Sequence, residues 1–166
     1  DHQESLNIFA HHYQTGKPLP QELVKKINDS SLFQIGYFSL RQLAFCYLDM
    51  AWHSADHSQM TSLIDFEKRV TEKTRLLPWI EGTCVSTHFS HIFAGGYSAG
   101  YYSYKWAEVL DADAFEYFQE EGLFNRDIGQ KFKDTILSRG GTEHPMEIYK
   151  KFRGREPDHQ ALIRRE

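Results

Sequence analysis

The stretch at residues 32–53 constrains the fold of this chain more than any other feature of the sequence. Its apolar side chains would cover almost the whole circumference of one helix. They are Leu32, Phe33, Ile35, Tyr37, Phe38, Leu40, Leu43, Phe45, Tyr47, Leu48, Met50 and Trp52. A helix that is apolar on every side has to be covered by neighbouring elements. The sequence therefore predicts a bundle around this helix. A chain of 166 residues is expected to leave part of the apolar surface of this helix and of the first helix uncovered. The chain is then expected to self-associate through that apolar surface.

The rest of the sequence also has helical periodicity, which predicts an all-α fold for residues 1–166 as one helical unit. The first helix is expected to end at Gly16, and residues 28–31 are expected to form a break with an N-cap. Further helices are predicted over residues 62–77, from about residue 97 to 120, and from the cap Asn125 onward. One more helix is expected to start at Pro145 and to end at Gly154. Only residues 84–86 suggest a strand, and weakly.

Composition excludes some classes of function. The formal net charge is −4, so nothing indicates a nucleic-acid or anionic-lipid partner. No apolar run approaches the roughly 20 residues that span a bilayer. Cys46 and Cys84 are the only cysteines. So few cysteines favour the reducing cytoplasm over an oxidising compartment in which disulfides form. Because the chain begins at Asp1 without a methionine, we interpret it as a piece of a longer protein.

The histidines do not form a convincing metal site. His53 and His57 are four residues apart, a spacing that can chelate zinc on one helix face. The glutamate of an H-E-x-x-H motif is absent, however, and the pair falls at a helix end. His88 and His91 also lack a third ligand. No metal ligand is therefore predicted in this chain.

Residues 91–104 carry the candidate site, in which a histidine precedes glycines and a row of tyrosines. The candidates are His91, Tyr97, Tyr101, Tyr104, Gly95, Gly96 and Gly100. If a helix begins near residue 97, the three tyrosines share one face, whereas Tyr102 and Trp106 face the core. Phenol groups are neutral hydrogen-bond donors at physiological pH, and glycines let a loop bend and move. The set suits gripping a peptide; the alternative is that these tyrosines only pack.

Several blocks of sequence resemble one enzyme family. They are FSHIFAGGY at residues 89–97, AGYYSY at 99–104, WAEVL at 106–110, ILSRGG at 136–141 and FRGREP at 152–157. The chain resembles the C-terminal part of the catalytic domain of the thimet oligopeptidase family of zinc metallopeptidases, in particular its bacterial oligopeptidase A branch. The resemblance extends over essentially the whole chain. It implies a mainly helical fold with a deep channel, and a parent enzyme that hydrolyses short peptides as an endopeptidase or a peptidyl-dipeptidase.

The resemblance also implies roles for the candidate residues. In this family zinc is held by H-E-x-x-H and a later glutamate, which both precede the region seen here, and this sequence contains neither. The chain by itself is thus expected to bind no zinc and to be inactive. By resemblance His91 and Tyr104 stabilise the oxyanion of the tetrahedral intermediate. Tyr97 binds substrate and the developing charge. Tyr101 lines the same wall, and Gly95, Gly96 and Gly100 let the loop close on a peptide.

Another class of function stays open at this point. The chain is also compatible with a non-catalytic helical domain that binds a peptide or a protein partner through the surface at residues 97–104.

Overall fold

The computed structural model of the chain describes residues 2–58 and 60–165, and it confirms the all-α prediction. Within these ranges every long element is a helix, and the one β-bridge is an isolated pair between His11 and Pro18. The helices are α1 (Gln3–Phe9), α2 (Gln21–Ser31), α3 (Ile35–Ser54), α4 (Leu63–Val70), α5 (Ser90–Phe93), α6 (Ser103–Glu121), α7 (Arg126–Phe132), α8 (Pro145–Arg153) and α9 (Gln160–Arg165). None of the helices described is long and apolar enough to cross a membrane.

Helix α3 is the central element of the N-terminal half, as its apolar sequence predicts. It starts at Ile35, behind Gln34 in the left-handed conformation with φ of 57°. The predicted break at residues 28–31 is wrong, because these residues form the last turn of α2. Helix α4 and the 3₁₀ turn Glu72–Thr74 pack along α3. The two most buried side chains of α3 are Leu48 and, unexpectedly, the charged Asp49.

Much of the apolar surface of α3 is exposed, because α3 has neighbours on only part of its circumference among the residues that the structure describes. Phe38 and Tyr47 are 50% and 53% exposed. In α1, Ile8 and Phe9 are exposed as well. The predicted uncovered apolar surface on α3 and the first helix is thereby confirmed, whereas self-association through it stays a prediction.

The C-terminal half is organised around a buried acid and an aromatic cluster. Asp113 of α6 has no solvent exposure and accepts hydrogen bonds from the Tyr149 hydroxyl at 2.6 Å and from Arg155 Nη2 at 2.5 Å. Phe152 is also fully buried, and its ring centroid lies 5.1 Å from that of Phe132. Helix α8 ends at Gly154, whose φ of 82° is left-handed, so the FRGREP block joins a helix stop to the arginines that neutralise Asp113.

Several predicted helix boundaries differ from the observed ones. The first helix ends at Phe9 instead of Gly16, which lies in a separate turn closed by a hydrogen bond from Gly16 N to His12 O. The helix predicted over residues 62–77 is split into α4 and the 3₁₀ turn. Residues 84–86 form no strand, since Val85–Thr87 is a 3₁₀ turn. Asn125 caps α7 as predicted, its side chain accepting from Asp127 N.

Candidate functional site

The short helix α5 fixes His91, the histidine of the candidate site. Ile92 is fully buried, and the neighbouring His91 is thereby turned toward the surface, where it is exposed. The Ser98 hydroxyl donates a 2.6 Å hydrogen bond to the carbonyl of Ile92, which ties the loop after α5 back onto the helix. The imidazole therefore stands on an anchored turn.

Three tyrosine rings surround this imidazole. The ring centroid of His91 lies 4.9 Å from that of Tyr97, 5.5 Å from Tyr101 and 5.7 Å from Tyr104. The Tyr104 hydroxyl lies 3.0 Å from His91 Nε2. Tyr97 and Tyr104 are stacked with centroids 5.3 Å apart. The structure thus brings together the four side chains that the sequence singled out, and we call them the His–Tyr cluster.

The chain reaches this arrangement by a route that the sequence did not predict. Helix α6 begins at Ser103 and not near residue 97, so Tyr97 and Tyr101 lie in turns before the helix. Left-handed residues interrupt the path, with φ of 78° at Gly96 and 52° at Ala99. The three tyrosines are therefore not aligned on one face of a helix. The fold of the loop before α6 brings them together.

The prediction that Tyr102 and Trp106 face the core on the other side of that helix is wrong as well. Tyr102 is 55% exposed and Trp106 is 44% exposed. Tyr102 precedes the first residue of α6, and in the described part of the chain the cover over Trp106 is incomplete.

The three tyrosines of the cluster differ in exposure and in bonding. Tyr97 and Tyr104 are each 38% exposed, whereas Tyr101 is buried. The Tyr101 hydroxyl donates to Gln42 Oε1 at 3.0 Å, and burial raises the pKa of Tyr101. A hydrogen bond with Tyr97 raises the pKa of Tyr104. Tyr104 therefore keeps its proton at neutral pH and can donate it in a hydrogen bond, while Tyr101 supports the cluster from below.

Among the glycines of the loop, Gly95 has the tightest surroundings. A Cβ at this position would lie 2.9 Å from the carbonyl oxygen of His91. Gly96 is exposed and needs its left-handed φ rather than space, and a Cβ at Gly100 would make an ordinary contact with Tyr97. Glycine is thus required at position 95 because the chain there passes very close to the backbone of His91.

A buried carboxylate holds the segment that leads into α5. Glu67 of α4 is 2% exposed and accepts from Val85 N at 2.9 Å, Ser86 N at 2.8 Å and the Ser86 hydroxyl at 2.7 Å. Burial opposes the charge, but these hydrogen bonds outweigh it and lower the pKa of Glu67. The site loop is consequently anchored at its start as well as at Ile92.

Asp49 is the second acid that sequence reasoning missed. Its carboxylate is fully buried and binds backbone N–H groups of the site loop at Ala99 and Tyr101. The available signal was an acid between Leu48 and Met50, in a stretch otherwise apolar all round, because a buried charge needs partners.

The histidine pair at the end of α3, His53 within the helix and His57 beyond it, is engaged in local contacts. His53 Nδ1 lies 2.9 Å from Asp49 Oδ1, and His57 Nε2 lies 2.6 Å from the carbonyl of Trp52. Across residues 2–58 and 60–165, no group of three or more His, Cys, Asp or Glu side chains is arranged to hold a metal ion. The arrangement of these His, Cys, Asp and Glu side chains therefore does not fit a zinc ion.

Comparison with known proteins gives a consistent family match. Residues 1–166 match the peptidase family M3. Oligopeptidase A of Haemophilus influenzae is 46% identical over 163 residues, which are 98% of this chain and 24% of that protein. The organellar oligopeptidase A of Arabidopsis thaliana is 45% identical over 168 residues, 98% of this chain and 21% of that protein. The dipeptidyl carboxypeptidase of Escherichia coli is 39% identical over 164 residues, 98% of this chain and 24% of that protein. The chain thus spans about a quarter of the length of these relatives.

Proposed function

Because this chain belongs to peptidase family M3, we propose that it forms the substrate-facing wall of the active site of an oligopeptidase that hydrolyses short peptides. In this proposal residues 1–166 are the C-terminal segment of the catalytic domain, and by themselves they are inactive. The observation that carries the proposal is the 3.0 Å contact between His91 Nε2 and the Tyr104 hydroxyl, in a cluster that is open to solvent.

The two polar groups suit the charge that develops during peptide hydrolysis. When a carbonyl carbon becomes tetrahedral, its oxygen becomes an oxyanion, which hydrogen-bond donors held in place stabilise more than they stabilise the substrate. His91 Nε2 and the Tyr104 hydroxyl are close enough for one oxygen to reach both. We assign these two residues to the oxyanion and Tyr97, stacked on Tyr104, to the substrate and the same charge.

The remaining candidates support this wall. Tyr101 packs beneath His91 and Tyr104, so we assign it to the shape of the wall rather than to donation. Gly95, Gly96 and Gly100 are assigned to movement of the loop over a bound peptide.

The metal belongs to another part of the protein in this proposal. Family M3 peptidases are generally zinc-dependent, but the described residues offer no ligand set, and the resemblance puts the ligands ahead of this region. We therefore assign zinc to residues outside this chain. The roles of His91, Tyr97 and Tyr104 require only that a peptide carbonyl reach them. Sparse cysteine supports a cytoplasmic location.

The test compares two tyrosines at the start of α6. In the full-length protein that contains this chain, Tyr104→Phe removes the hydroxyl that faces His91, and Tyr102→Phe removes one from a side chain outside the cluster. We expect Tyr104→Phe to lower kcat by roughly 10²–10³ with little change in KM, since a donor to the oxyanion acts in the transition state. Tyr102→Phe should leave kcat unchanged. Initial rates on a quenched fluorescent peptide measure both.

Equal kcat values for the two variants would contradict the proposal and leave the His–Tyr cluster as packing. A fall in peptide affinity without any peptidase activity in the wild-type protein would instead favour the non-catalytic binding domain. Far-UV circular dichroism checks that both variants are folded.

A further inference from the structure

Asp49 is a fully buried acid between Leu48 and Met50. It lies in the fourth turn of α3 and has no solvent exposure. A buried carboxylate is strongly unfavourable unless hydrogen bonds or charges compensate it. Its contacts therefore show what the residue stabilises.

Those contacts converge from the site loop. Asp49 Oδ1 accepts from Ala99 N at 2.9 Å, and Oδ2 accepts from Tyr101 N at 2.8 Å. His53 Nδ1 lies 2.9 Å from Oδ1 on the other side. The carboxylate is thus held by two backbone N–H groups of the loop and by one histidine of its own helix. The partners are 50 and 52 residues away in the sequence, so this contact exists only in the folded protein.

The loop conformation that Asp49 holds is a costly one. Ala99 has φ of 52°, a region that a residue with a Cβ rarely adopts. Its side chain is exposed, so packing of the methyl group does not explain the conformation. The hydrogen bonds to Asp49 do, because both require the chain to turn back at this residue.

One face of α3 binds both the backbone N–H and the side-chain hydroxyl of Tyr101. Gln42 and Asp49 are seven residues, or two turns, apart and so lie on one face. Gln42 Oε1 accepts from the Tyr101 hydroxyl, and Asp49 accepts from its backbone N–H. Phe45, between them, contacts the Tyr101 ring edge-on at 5.8 Å. Tyr101 in turn packs against the ring of His91.

We propose that Asp49 is a positioning residue of the active site: its buried carboxylate fixes the turn at residues 99–101 and thereby the geometry of the His–Tyr cluster. This inference rests on the proposed function of that cluster. Asp49 touches no substrate; it acts through the backbone of Ala99 and Tyr101.

The principal test is Asp49→Asn in the full-length protein. The amide keeps the size of the carboxylate but has one acceptor oxygen, so it places an NH₂ group against one of the two N–H groups. We expect amide hydrogen exchange in residues 97–104 to be faster by roughly tenfold or more. We also expect kcat to fall by roughly 10- to 100-fold with KM little changed.

Asp113→Asn is the matched control. Asp113 is equally buried, but it pairs with Tyr149 and Arg155 in the C-terminal half. Its substitution should lower Tm while leaving kcat of the folded enzyme and exchange in residues 97–104 unchanged.

Two variants of Ala99 test the same turn with Asp49 intact, and they serve if Asp49→Asn fails to fold. Ala99→Val disfavours the left-handed conformation further and should lower kcat by roughly tenfold, whereas Ala99→Gly accepts that conformation and should keep kcat. The Ala99 side chain is exposed, so neither substitution disturbs packing.

The outcomes separate this inference from the proposed function. If Asp49→Asn behaves like Asp113→Asn, lowering Tm with unchanged kcat and loop exchange, the positioning role is overturned. It is also overturned if loop exchange rises and Tyr104→Phe lowers kcat but Asp49→Asn does not. If loop exchange rises and neither variant changes kcat, Asp49 is supported as the residue that holds the loop and the proposed function of the cluster fails.

Discussion

Gly95→Ala is a sharp probe of how closely the site loop packs on His91. The added Cβ would lie 2.9 Å from the His91 carbonyl oxygen and 3.3 Å from the His91 Cα. Both atoms belong to the backbone of α5 and cannot rotate away as a side chain would. Gly95 N also donates to the carbonyl of Ser90 at 3.1 Å, which keeps the two segments together. The substitution therefore has to move the residue that carries the imidazole.

The expected size of the effect follows from that contact. Restoring an ordinary separation at 3.4 Å requires a shift of about 0.5 Å. A displacement of about 1 Å at a catalytic group can cost about 100-fold in rate, so half of it should lower kcat by roughly tenfold. Because a small overpacked site typically costs about 1–3 kcal/mol, the free energy of unfolding should fall as well.

Gly129→Ala provides the matched control for this change. Gly129 lies within α7, and a Cβ there would meet nothing within 4 Å. Alanine should therefore raise the free energy of unfolding by about 0.5–1 kcal/mol through its helix propensity and leave kcat unchanged. Peptide hydrolysis rates and urea unfolding of both full-length variants make the comparison. A Gly95→Ala protein with wild-type kcat and wild-type stability would refute the reasoning.

Two further predictions concern the buried acids away from the His–Tyr cluster. Burial alone would raise the pKa of Asp113, but the hydrogen bonds from Tyr149 and Arg155 and the nearby arginine charges outweigh it and lower that pKa. Stability from Asp113 is therefore fully present above its ordinary pKa of about 3.9 and is lost as the pH falls through the lowered value. Asp113→Asn should cost about 1–3 kcal/mol at pH 7, and its difference from wild type in urea unfolding should shrink below about pH 4; a pH-independent difference would contradict this. Glu67→Gln should cost about 1–3 kcal/mol and speed amide exchange at Val85 and Ser86, and unchanged exchange there would show that Glu67 does not hold this segment.

Local signals explain what could be predicted well. Asn125 caps α7 through its own side chain, and Gly154 ends α8 in the left-handed conformation that glycine favours. Each signal acts within a few residues, so it can be read without the rest of the fold. Exposure of apolar residues on α3 could be anticipated for a similar reason, since it follows from the helical periodicity and the length of the chain.

The failures share a different cause. Gly16 is typical of a helix end, yet α1 stops at Phe9. The chain turns there, and Leu19 N donates a hydrogen bond to the carbonyl of Ala10. Likewise, no local signal shows that the segment between residues 83 and 98 is held by Glu67 and by the buried Ile92. In each case the deciding partner lies elsewhere in the chain.

The sequence by itself determined the helical class, the family and the four members of the His–Tyr cluster. Only the tertiary structure decided how they meet. Residues 97–102 have helical periodicity, but α6 begins at Ser103 because Asp49 binds the N–H groups of Ala99 and Tyr101 and holds Ala99 in the left-handed conformation. Periodicity reports which side chains could share a face of a helix. It does not report the buried carboxylate of Asp49, 50 residues earlier in the sequence. That carboxylate needs hydrogen bonds, and it obtains them only when the loop at residues 99–101 is not helical.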